Sequence, residues 1–275
     1  MLLKGIAAAA AVFAVLTGLA ADLALVPTIL MILLRFAVNL VELSLLAFAF
    51  FVVVSYIVDP DREQETDSPF YRKVTDLYLE AMITLMRVRV HGEGLEKTPK
   101  DGRFLLVCNH QFAADPGILL RSFPASQLAF ISKKENRDLF CIGRLMHKIL
   151  CQELDRNDDR QALQVILRCI RLIREDQVSI AVFPEGSTNH DELLHSFRPG
   201  VFKIAQKAGV PIVVCTLQGT RGIVKNALHG GTDVKLKLLE VIPAAELKGK
   251  TAVEISDRVH RMMAEELGES QVAAD

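Results

Sequence analysis

The feature that most limits how this chain can fold is its apolar beginning. From residue 6 to residue 58, 53 positions carry only three charged side chains, Asp22, Arg35 and Glu42. A bilayer core of ~30 Å is crossed by about 20 helical residues. The stretch is therefore long enough for two membrane helices, and the acidic Asp59-Pro60-Asp61 sequence ends it.

The position of the turn between these two helices stays open. Asp22 with Pro27 offers one corner, and Arg35 offers another. Arg35, Asn39 and Glu42 are spaced by four and three positions, so on a helix they form one polar stripe. Such a stripe is better placed at the headgroup level or against protein than among acyl chains. An interfacial helical hairpin is therefore as plausible as two full spans.

A cleaved signal peptide is the alternative interpretation of the N-terminus. Lys4, the apolar run that follows it and the small residues before Asp22 fit that pattern. An anchor is favoured because apolar sequence resumes at once and continues to Val58. Basic residues on both sides of the stretch predict that both of its ends face the cytoplasm: Lys4, Arg62, Arg72, Lys73, Arg87 and Arg89. We expect a protein of the inner, cytoplasmic membrane whose globular part faces the cytoplasm.

The rest of the chain has the composition of an ordinary globular domain. The full sequence of 275 residues is 51% hydrophobic, with 32 basic against 33 acidic side chains. This near-neutral balance argues against a nucleic-acid-binding protein, and the apolar fraction excludes a disordered chain. The five cysteines have no metal-binding spacing and are expected to be reduced: Cys108, Cys141, Cys151, Cys169 and Cys215.

Helical and strand patterns alternate after the apolar stretch. Residues 70–85 show helical spacing, and residues 86–90 alternate like a strand before a turn at Gly92 and Gly94. Five later segments are predicted as buried strands: 104–108, 128–131, 179–183, 212–216 and 234–242. The alternation predicts an α/β fold, a mostly parallel sheet flanked by helices on both faces, preceded by an N-terminal hydrophobic helical hairpin.

Helix-end signals and composition divide the chain further. Asn157 is predicted to cap one helix, Gly209 to end another, and Thr251 with Glu254 to form a capping box for the last one. The expected division is membrane-anchoring helices, an amphipathic connecting helix, an α/β domain and a flexible tail, at 1–58, 59–84, 85–268 and 269–275.

The strongest candidate for chemistry is the N-H-Q-F-A-A-D-P segment at residues 109–116, directly after a predicted strand. Pro116 is favoured at the first helical position, which makes Asp115 the N-cap and leaves His110 in the preceding loop. The loop can then fold a ring nitrogen onto the carboxylate, and the other nitrogen can accept a proton. The alternative is that Asp115 only caps the helix and His110 is an ordinary loop residue.

A second candidate is the F-P-E-G-S segment at residues 183–187, again at the end of a predicted strand. In a parallel sheet this loop shares one edge with the His110 loop. Gly186 can let the backbone approach a substrate and offer an N–H to an oxyanion; an ordinary turn is the alternative. Basic residues elsewhere either bind phosphate or are solvated surface charges: Lys133, Lys134, Arg156 and Arg198.

Together these segments resemble one family, the glycerolipid acyltransferases typified by 1-acylglycerol-3-phosphate acyltransferase. Four blocks occur in the family's order: N-H-x4-D at 109–115, K-K…G…D-R (Lys133, Lys134, Gly143, Asp155, Arg156), F-P-E-G-S at 183–187, and F-R-P-G through V-P-I at 197–212. The resemblance covers residues 85 to 260, and the hydrophobic hairpin is similar to that family's membrane anchor.

The resemblance implies transfer of a fatty acyl group from acyl-CoA or acyl carrier protein to the hydroxyl of a lysophosphatidate in phospholipid biosynthesis. It implies catalytic roles for His110 and Asp115. It also implies substrate contacts for seven residues: Asn109, Lys134, Arg156, Glu185, Gly186, Ser187 and Arg198. Membrane lipids and the acyl carrier are the implied partners. No metal and no cofactor beyond the acyl thioester co-substrate is expected, and no nucleic acid.

The chain also departs from the family pattern. Thr188 follows Gly186-Ser187 where many lysophosphatidate acyltransferases carry an arginine, while Leu150 and Val214 replace a frequent glycine and proline. These changes leave another acceptor open, a different lysophospholipid or a glycerol-phosphate. A catalytically inactive lipid-binding relative is the further alternative. His190 and His195 flank a loop that is expected to be solvated rather than metal-binding.

Overall fold

In the computed structural model, residues 1–20, 25–155, 157–187, 193–268 and 272–273 are described. Two long apolar helices come first, α1 at Leu2–Leu19 and α2 at Leu25–Tyr56. By length and composition both are able to cross a membrane. Because Arg35 lies inside α2, the corner considered at that residue is wrong. Of the other predicted corner, Pro27 lies in the first turn of α2, and Asp22 lies outside the described residues.

A stripe of small residues brings α1 against α2. Ala10, Ala14 and Gly18 are the buried residues of α1, and they recur at every fourth position. A Cβ built on Gly18 would lie 2.2 Å from Ile32 Cγ1, so only glycine allows this close approach. Asn39, a member of the predicted polar stripe, donates its side-chain amide to the Ala10 carbonyl oxygen at 3.5 Å. The stripe therefore faces protein at this point.

The second half of α2 packs on the globular part of the chain. The Tyr78 hydroxyl donates a hydrogen bond to the Ala47 carbonyl oxygen, and Val54 packs with Val74 and Leu145. Of the connecting helix predicted at 59–84, only the part from Pro69 onward is helical, and 59–68 is irregular. The later helices are α3 (Pro69–Leu85), α4 (Asp115–Ser122), α5 (Ile142–Lys148), α6 (Asp159–Arg174), α7 (Lys203–Ala208), α8 (Ile223–Asn226) and α9 (Ala252–Leu267).

Within the described residues, seven strands form one sheet in the order β1-β7-β6-β2-β5-β3-β4. Neighbouring strands are parallel except β6 and β7, which are antiparallel. The predicted α/β fold with a mostly parallel sheet is therefore confirmed. The strands are β1 (Val88–Glu93), β2 (Leu105–Cys108), β3 (Leu128–Lys133), β4 (Gln152–Leu154), β5 (Ser179–Val182), β6 (Ile212–Gln218) and β7 (Thr232–Ile242).

The central strand β2 sends its side chains alternately into two hydrophobic cores. Leu105 and Val107 pack with residues of α6, α7 and α9 on one face. Leu106 and Cys108 pack with residues of α4 on the other face. Helices thus cover both faces of the sheet, which explains why β2 is apolar at every position. The loop that follows β2 therefore emerges at the middle of one sheet edge.

Several predicted element ends can be compared with the structure. The Thr251–Glu254 capping box is confirmed, and Gly209 ends α7 with a φ of 76°. Asn157 is not the cap of α6; the neighbouring Asp158 is, because its carboxylate accepts hydrogen bonds from two N–H groups of the first turn. Gly92 belongs to β1 rather than to a turn. All five cysteines are free thiols, as expected.

Candidate active site

Parallel strands bring the sequence blocks to one edge of the sheet. The loop that contains His110 follows β2, and the loop that contains Glu185 follows the adjacent β5. The predicted shared edge of these two loops is confirmed. Lys134 follows β3, which pairs with β5. Because neighbouring strands lie about 4.8 Å apart, the strand ends at Lys134 and His110 are separated by about 10 Å.

His110 and Asp115 form a hydrogen-bonded pair at this edge. The distance between His110 Nδ1 and Asp115 Oδ2 is 2.9 Å. The Asp115 side chain is fully buried, and 14% of the His110 side chain is exposed. The same carboxylate oxygen also accepts the backbone N–H groups of Gln111 at 2.7 Å and Phe112 at 2.8 Å. One buried carboxylate therefore holds both the imidazole and the loop that carries it.

Asp115 does not act as the N-cap that the sequence predicts. It is the first residue of α4, Ala114 occupies the cap position, and no side-chain capping bond is present there. The carboxylate turns back toward the preceding loop instead, because three donors from that loop converge on one of its oxygens. The expected contact between ring and carboxylate is present, although the capping role predicted with it is wrong.

An aromatic side chain fixes the plane of the His110 ring. The ring stacks on Phe183, with centroids 4.1 Å apart and an interplanar angle of 15°. Phe183 in turn stacks on Phe130 at 5.7 Å. Sequence reasoning did not single out Phe183 as a site residue, although it opens the F-P-E-G-S block directly after β5. Since one ring nitrogen faces Asp115 and one ring face covers Phe183, the imidazole has a defined orientation.

Glu185 supports the His110 loop from the neighbouring strand. Its side chain is almost fully buried, at 7% exposed. Oε1 accepts the backbone N–H of His110 at 2.8 Å, and Oε2 accepts that of His195 at 3.2 Å. Burial raises the pKa of Glu185 to about 7, and these two backbone hydrogen bonds oppose that rise. Both oxygens face backbone, so this geometry favours a positioning role over the substrate contact that the resemblance implies.

Asn109 anchors the other side of the same loop. Its Nδ2 donates to the Leu217 carbonyl oxygen at 2.9 Å, and its Oδ1 accepts the Leu217 N–H at 2.7 Å. The residue is only 3% exposed. Gln111 adds a further link, since its Oε1 accepts the Gly219 N–H at 3.2 Å. Asn109 thus links the end of β2 to β6. Its amide is buried and bonded to backbone, so it does not face the solvent-accessible side of the site, where a substrate would bind.

The absence of a side chain at Gly186 lets the Arg198 side chain lie against the loop after β5. Gly186 has a φ of +76°, and a Cβ built on it would lie 2.7 Å from Arg198 Nε. Its N–H donates to the Phe183 carbonyl oxygen at 3.0 Å, so this group is used within the turn and is not directed at an oxyanion. The Arg198 N–H donates to the Pro184 carbonyl oxygen at 2.8 Å. Arg198 and the next loop residue, Ser187, are both exposed.

Of the remaining predicted residues, Lys134 lies toward the β4 side of the site. Lys134 Nζ is 3.5 Å from Asp155 Oδ2, and the lysine side chain is 66% exposed. Arg156, Thr188 and His190 lie outside the described residues. Over the part of the chain that the structure describes, no group of three or more potential ligand side chains could hold a metal ion.

Comparisons with known proteins show which sequences and folds this chain resembles. Residues 87–218 match the family model Acyltransferase. The chloroplast 1-acyl-sn-glycerol-3-phosphate acyltransferase of Arabidopsis thaliana is 34% identical over 143 residues, which are 52% of this chain and 39% of that protein. The 1-acyl-sn-glycerol-3-phosphate acyltransferase alpha of Ovis aries is 25% identical over 193 residues, 70% of this chain and 67% of that protein.

A solved structure shares the fold over most of both chains. The crystal structure of the 1-acyl-sn-glycerophosphate acyltransferase of Thermotoga maritima matches with a TM-score of 0.58 at 23% sequence identity, covering 83% of this chain and 90% of that one. The matched part spans 39% and 40% of two of the curated plant relatives. Residues 87–218 of this chain are therefore similar to the acyltransferase family, as the four sequence blocks predict.

Proposed function

We propose that this protein is a membrane-associated enzyme that transfers a fatty acyl group from acyl-CoA or acyl carrier protein to the free hydroxyl of a 1-acylglycerol-3-phosphate. The observation that carries the proposal is the buried Asp115 carboxylate 2.9 Å from His110 Nδ1, at the sheet edge of a domain similar to the acyltransferase family. The acceptor is chosen because the relatives from Arabidopsis thaliana and Ovis aries are named for it.

In the proposed reaction, His110 acts as the general base. An alcohol is a poor nucleophile at neutral pH, so His110 Nε2 takes its proton as the oxygen attacks the thioester carbonyl. The C–O bond of the new ester forms, the C–S bond breaks, and the proton passes to the departing thiolate. Such general-base help is typically worth ~10²–10⁴ in rate.

Asp115 supports this step through the ring. Because it engages Nδ1, the tautomer with a proton on that nitrogen is favoured and Nε2 is the basic position. The buried carboxylate then stabilises the imidazolium as it forms, as in serine-protease triads. A covalent acyl-enzyme is not required, because the acceptor hydroxyl itself is the nucleophile.

Exposed cations at the same edge are assigned to the acceptor phosphate. Arg198 lies against the Gly186 turn beside the His110 loop, and Lys134 lies at the end of β3. Arginine can bind a phosphate through two parallel hydrogen bonds, whereas lysine acts as a point charge. Arg156 receives the same assignment from its sequence block alone. Ser187, exposed in the Gly186 loop, is assigned a contact with the polar part of the acceptor.

The proposed membrane association rests on the surface of α1 and α2. Leu30, Leu34 and Leu46 are 68%, 66% and 65% exposed. A soluble protein rarely leaves so extended an apolar surface uncovered, whereas lipid acyl chains would cover it. The basic residues that flank these helices favour a catalytic domain on the cytoplasmic side of the inner membrane. Membrane attachment would raise the effective concentration of a lipid acceptor at the site.

One residue favours a second candidate function. Thr188 stands where many lysophosphatidate acyltransferases carry an arginine, which removes one cation from the loop after β5. An acceptor with a different headgroup, another lysophospholipid or a glycerol-phosphate, fits that change.

An acceptor panel tests both candidates. Membranes that contain the protein are incubated with labelled acyl-CoA or acyl carrier protein and several lysolipids, and labelled products are measured. We expect lysophosphatidate to be acylated fastest and His110→Ala to abolish transfer. His91→Ala is the matched control, since His91 also pairs with a carboxylate, 2.7 Å from Asp233, but is exposed on β1. Acylation of another lysolipid alone would select the second candidate, and full activity of His110→Ala would refute the mechanism.

A further inference from the structure

A short turn between β3 and α5 exposes apolar side chains and buries the smaller residue between them. Leu139, Phe140 and Ile142 are 47%, 58% and 51% exposed, whereas Cys141 is only 2% exposed. We refer to residues 139–142 as the 139–142 turn. Large apolar side chains grouped on one exposed turn are characteristic of a surface that contacts something else.

The backbone of the turn enforces this arrangement. Cys141 has a φ of 58° and a ψ of −41°, and the Ile142 N–H donates across it to the Phe140 carbonyl oxygen at 2.6 Å. This is the rare, strained form of the γ-turn. A Cβ on Gly143 would lie 2.0 Å from the Arg137 carbonyl oxygen, so the following residue must be glycine. Strain that exposes apolar groups brings no gain in folding, so the benefit is expected in an external contact.

The 139–142 turn continues the apolar surface of α2. The Phe140 ring lies 6.0 Å from the Tyr56 ring, and the Arg144 guanidinium lies 4.5 Å over the same tyrosine. Tyr56 and Ile57, at the end of α2, are 52% and 72% exposed. A surface that covers α2 therefore reaches the turn without a break.

The apolar character of the turn favours a lipid surface over other partners. The segment from residue 133 to residue 148 contains more basic than acidic side chains. The basic residues are Lys133, Lys134, Arg137, Arg144 and Lys148, against Glu135 and Asp138. Lys134 pairs with Asp155, and Arg137 pairs with Asp61 and Glu153, so part of this basic charge is balanced by acidic partners. The exposed apolar side chains at the centre of the turn suit the boundary between acyl chains and headgroups.

We propose that the 139–142 turn inserts Leu139, Phe140 and Ile142 into the bilayer surface as a second membrane contact, separate from α1 and α2. The proposal rests on the membrane association proposed above. Because the turn follows β3, it lies at the same sheet edge as the His110 loop. Its insertion holds that edge against the membrane, where a lipid acceptor lies.

Tryptophan fluorescence tests the proposal directly, because the chain contains no tryptophan. Full-length Phe140→Trp protein is reconstituted into phosphatidylcholine and phosphatidylglycerol vesicles whose acyl chains carry bromine, a short-range quencher. We expect blue-shifted emission and loss of most of its intensity. Phe48→Trp on α2, 53% exposed, reports on the anchor. Val253→Trp on α9, also 53% exposed, is the matched control, since its helix begins at the opposite sheet edge, where Ile242 pairs with Ile212.

Each result has a defined meaning. Quenching of Phe140→Trp and Phe48→Trp, with bright, unshifted emission from Val253→Trp, supports the proposal. Quenching of Phe48→Trp alone overturns the proposal but leaves membrane association standing. No quenching at either position overturns both, and equal quenching of all three overturns the specific contact. None of these readouts depends on acyl transfer, so a failure of the proposed activity is seen separately.

A kinetic measurement adds a second test. Phe140→Ser is expected to raise the KM for an acceptor embedded in vesicles several-fold. Its kcat, and its KM for a water-soluble short-chain acceptor, are expected to equal those of the parent. An unchanged KM for the vesicle-borne acceptor would count against the proposal.

Discussion

At Gly186 a single backbone torsion determines where a charged side chain can lie. Two separate features of Gly186 favour glycine at this position. Its φ is +76°, and a Cβ built on it would lie 2.7 Å from Arg198 Nε. The first concerns the backbone, since left-handed torsions are costly for residues with a Cβ. The second concerns the site, since any side chain at this position displaces the guanidinium. These two features can be separated by substitution.

Gly186→Ala is therefore expected to weaken both folding and acceptor binding. Gly209 is the matched control, because it has the same φ of +76° but nothing within 4 Å of a built Cβ. Gly209→Ala should lose about 1–2 kcal/mol of stability from the torsion alone and keep its acceptor KM. Gly186→Ala should lose at least as much and also show a raised acceptor KM. Thermal unfolding and steady-state kinetics measure the two effects, and equal acceptor KM values in both variants would contradict the prediction.

Glu185 gives the protein a predictable dependence on pH. Its pKa is raised to about 7 in the folded state from an ordinary value of 4.5. Folding therefore takes up a proton between these two values, and the free energy of unfolding falls as pH rises through this window. The full effect of this group is about 3 kcal/mol, present below the ordinary pKa and lost above pH 7.

Glu185→Gln should flatten this dependence. The amide cannot titrate, so the unfolding free energy of the variant is expected to fall less than that of the parent between pH 4.5 and 7. Denaturant unfolding followed by circular dichroism at several pH values measures this difference. Glu135→Gln, at an exposed position, controls for the removal of one carboxyl group. Parallel curves for the parent and Glu185→Gln would disprove the assignment.

The sequence predicts contacts between neighbouring site residues better than contacts between distant ones. The spacing of His110 and Asp115, with Pro116 behind them, was enough to predict the contact between ring and carboxylate. The partners of Asn109 and Glu185 could not be predicted, because they are backbone groups, and most of them belong to distant parts of the chain. Leu217 is 108 positions from Asn109, and no local pattern encodes such a pairing.

On the scale of elements, the contact between α1 and α2 depends on the absence of side chains. The buried stripe of Ala10, Ala14 and Gly18 lets the two helices approach closely. The chain also offers Gly5, on the same helix, where a built Cβ meets nothing within 4 Å. Substitution of Gly18 changes both the contact between the helices and the helix propensity, whereas substitution of Gly5 changes only the helix propensity.

Gly18→Leu is expected to push α1 away from α2, since a Cβ there would already lie 2.2 Å from Ile32 Cγ1. The midpoint of thermal unfolding in detergent should fall. Gly5→Leu should leave it unchanged or raise it, because leucine favours a helix more than glycine by about 1 kcal/mol. If both variants unfold at the parent's temperature, the glycine contact does not stabilise the hairpin.

Element prediction succeeded where the periodicity was long and failed where it was short. The apolar runs of β2, β5 and β6 are recognisable because buried parallel strands are apolar at nearly every position. β4 has only three residues, Gln152–Leu154, too few to show a pattern. The antiparallel direction of β7 was also not predicted, because alternation records which face a residue occupies and not which way the strand runs.

For the whole molecule, membrane attachment is expected to depend on apolar contact more than on charge. Four charged side chains lie in positions 1–58, against a long exposed apolar surface. High salt screens ionic contacts but leaves apolar burial intact. We expect the protein to stay with phosphatidylcholine vesicles in a flotation assay at high salt. Release by salt would show that the attachment is electrostatic.

The helix α2 belongs to two parts of the molecule at once. Its first half packs on α1 near Ile32, and its second half packs on α3 and α5 near Val54. A helix of 32 residues is about 48 Å long, and no hinge interrupts it. If the hairpin is seated in lipid, its tilt dictates the tilt of the sheet, and the enzyme sits on the bilayer in one pose. An acceptor that arrives by lateral diffusion then meets the same side of the enzyme each time, so a three-dimensional search becomes a planar one.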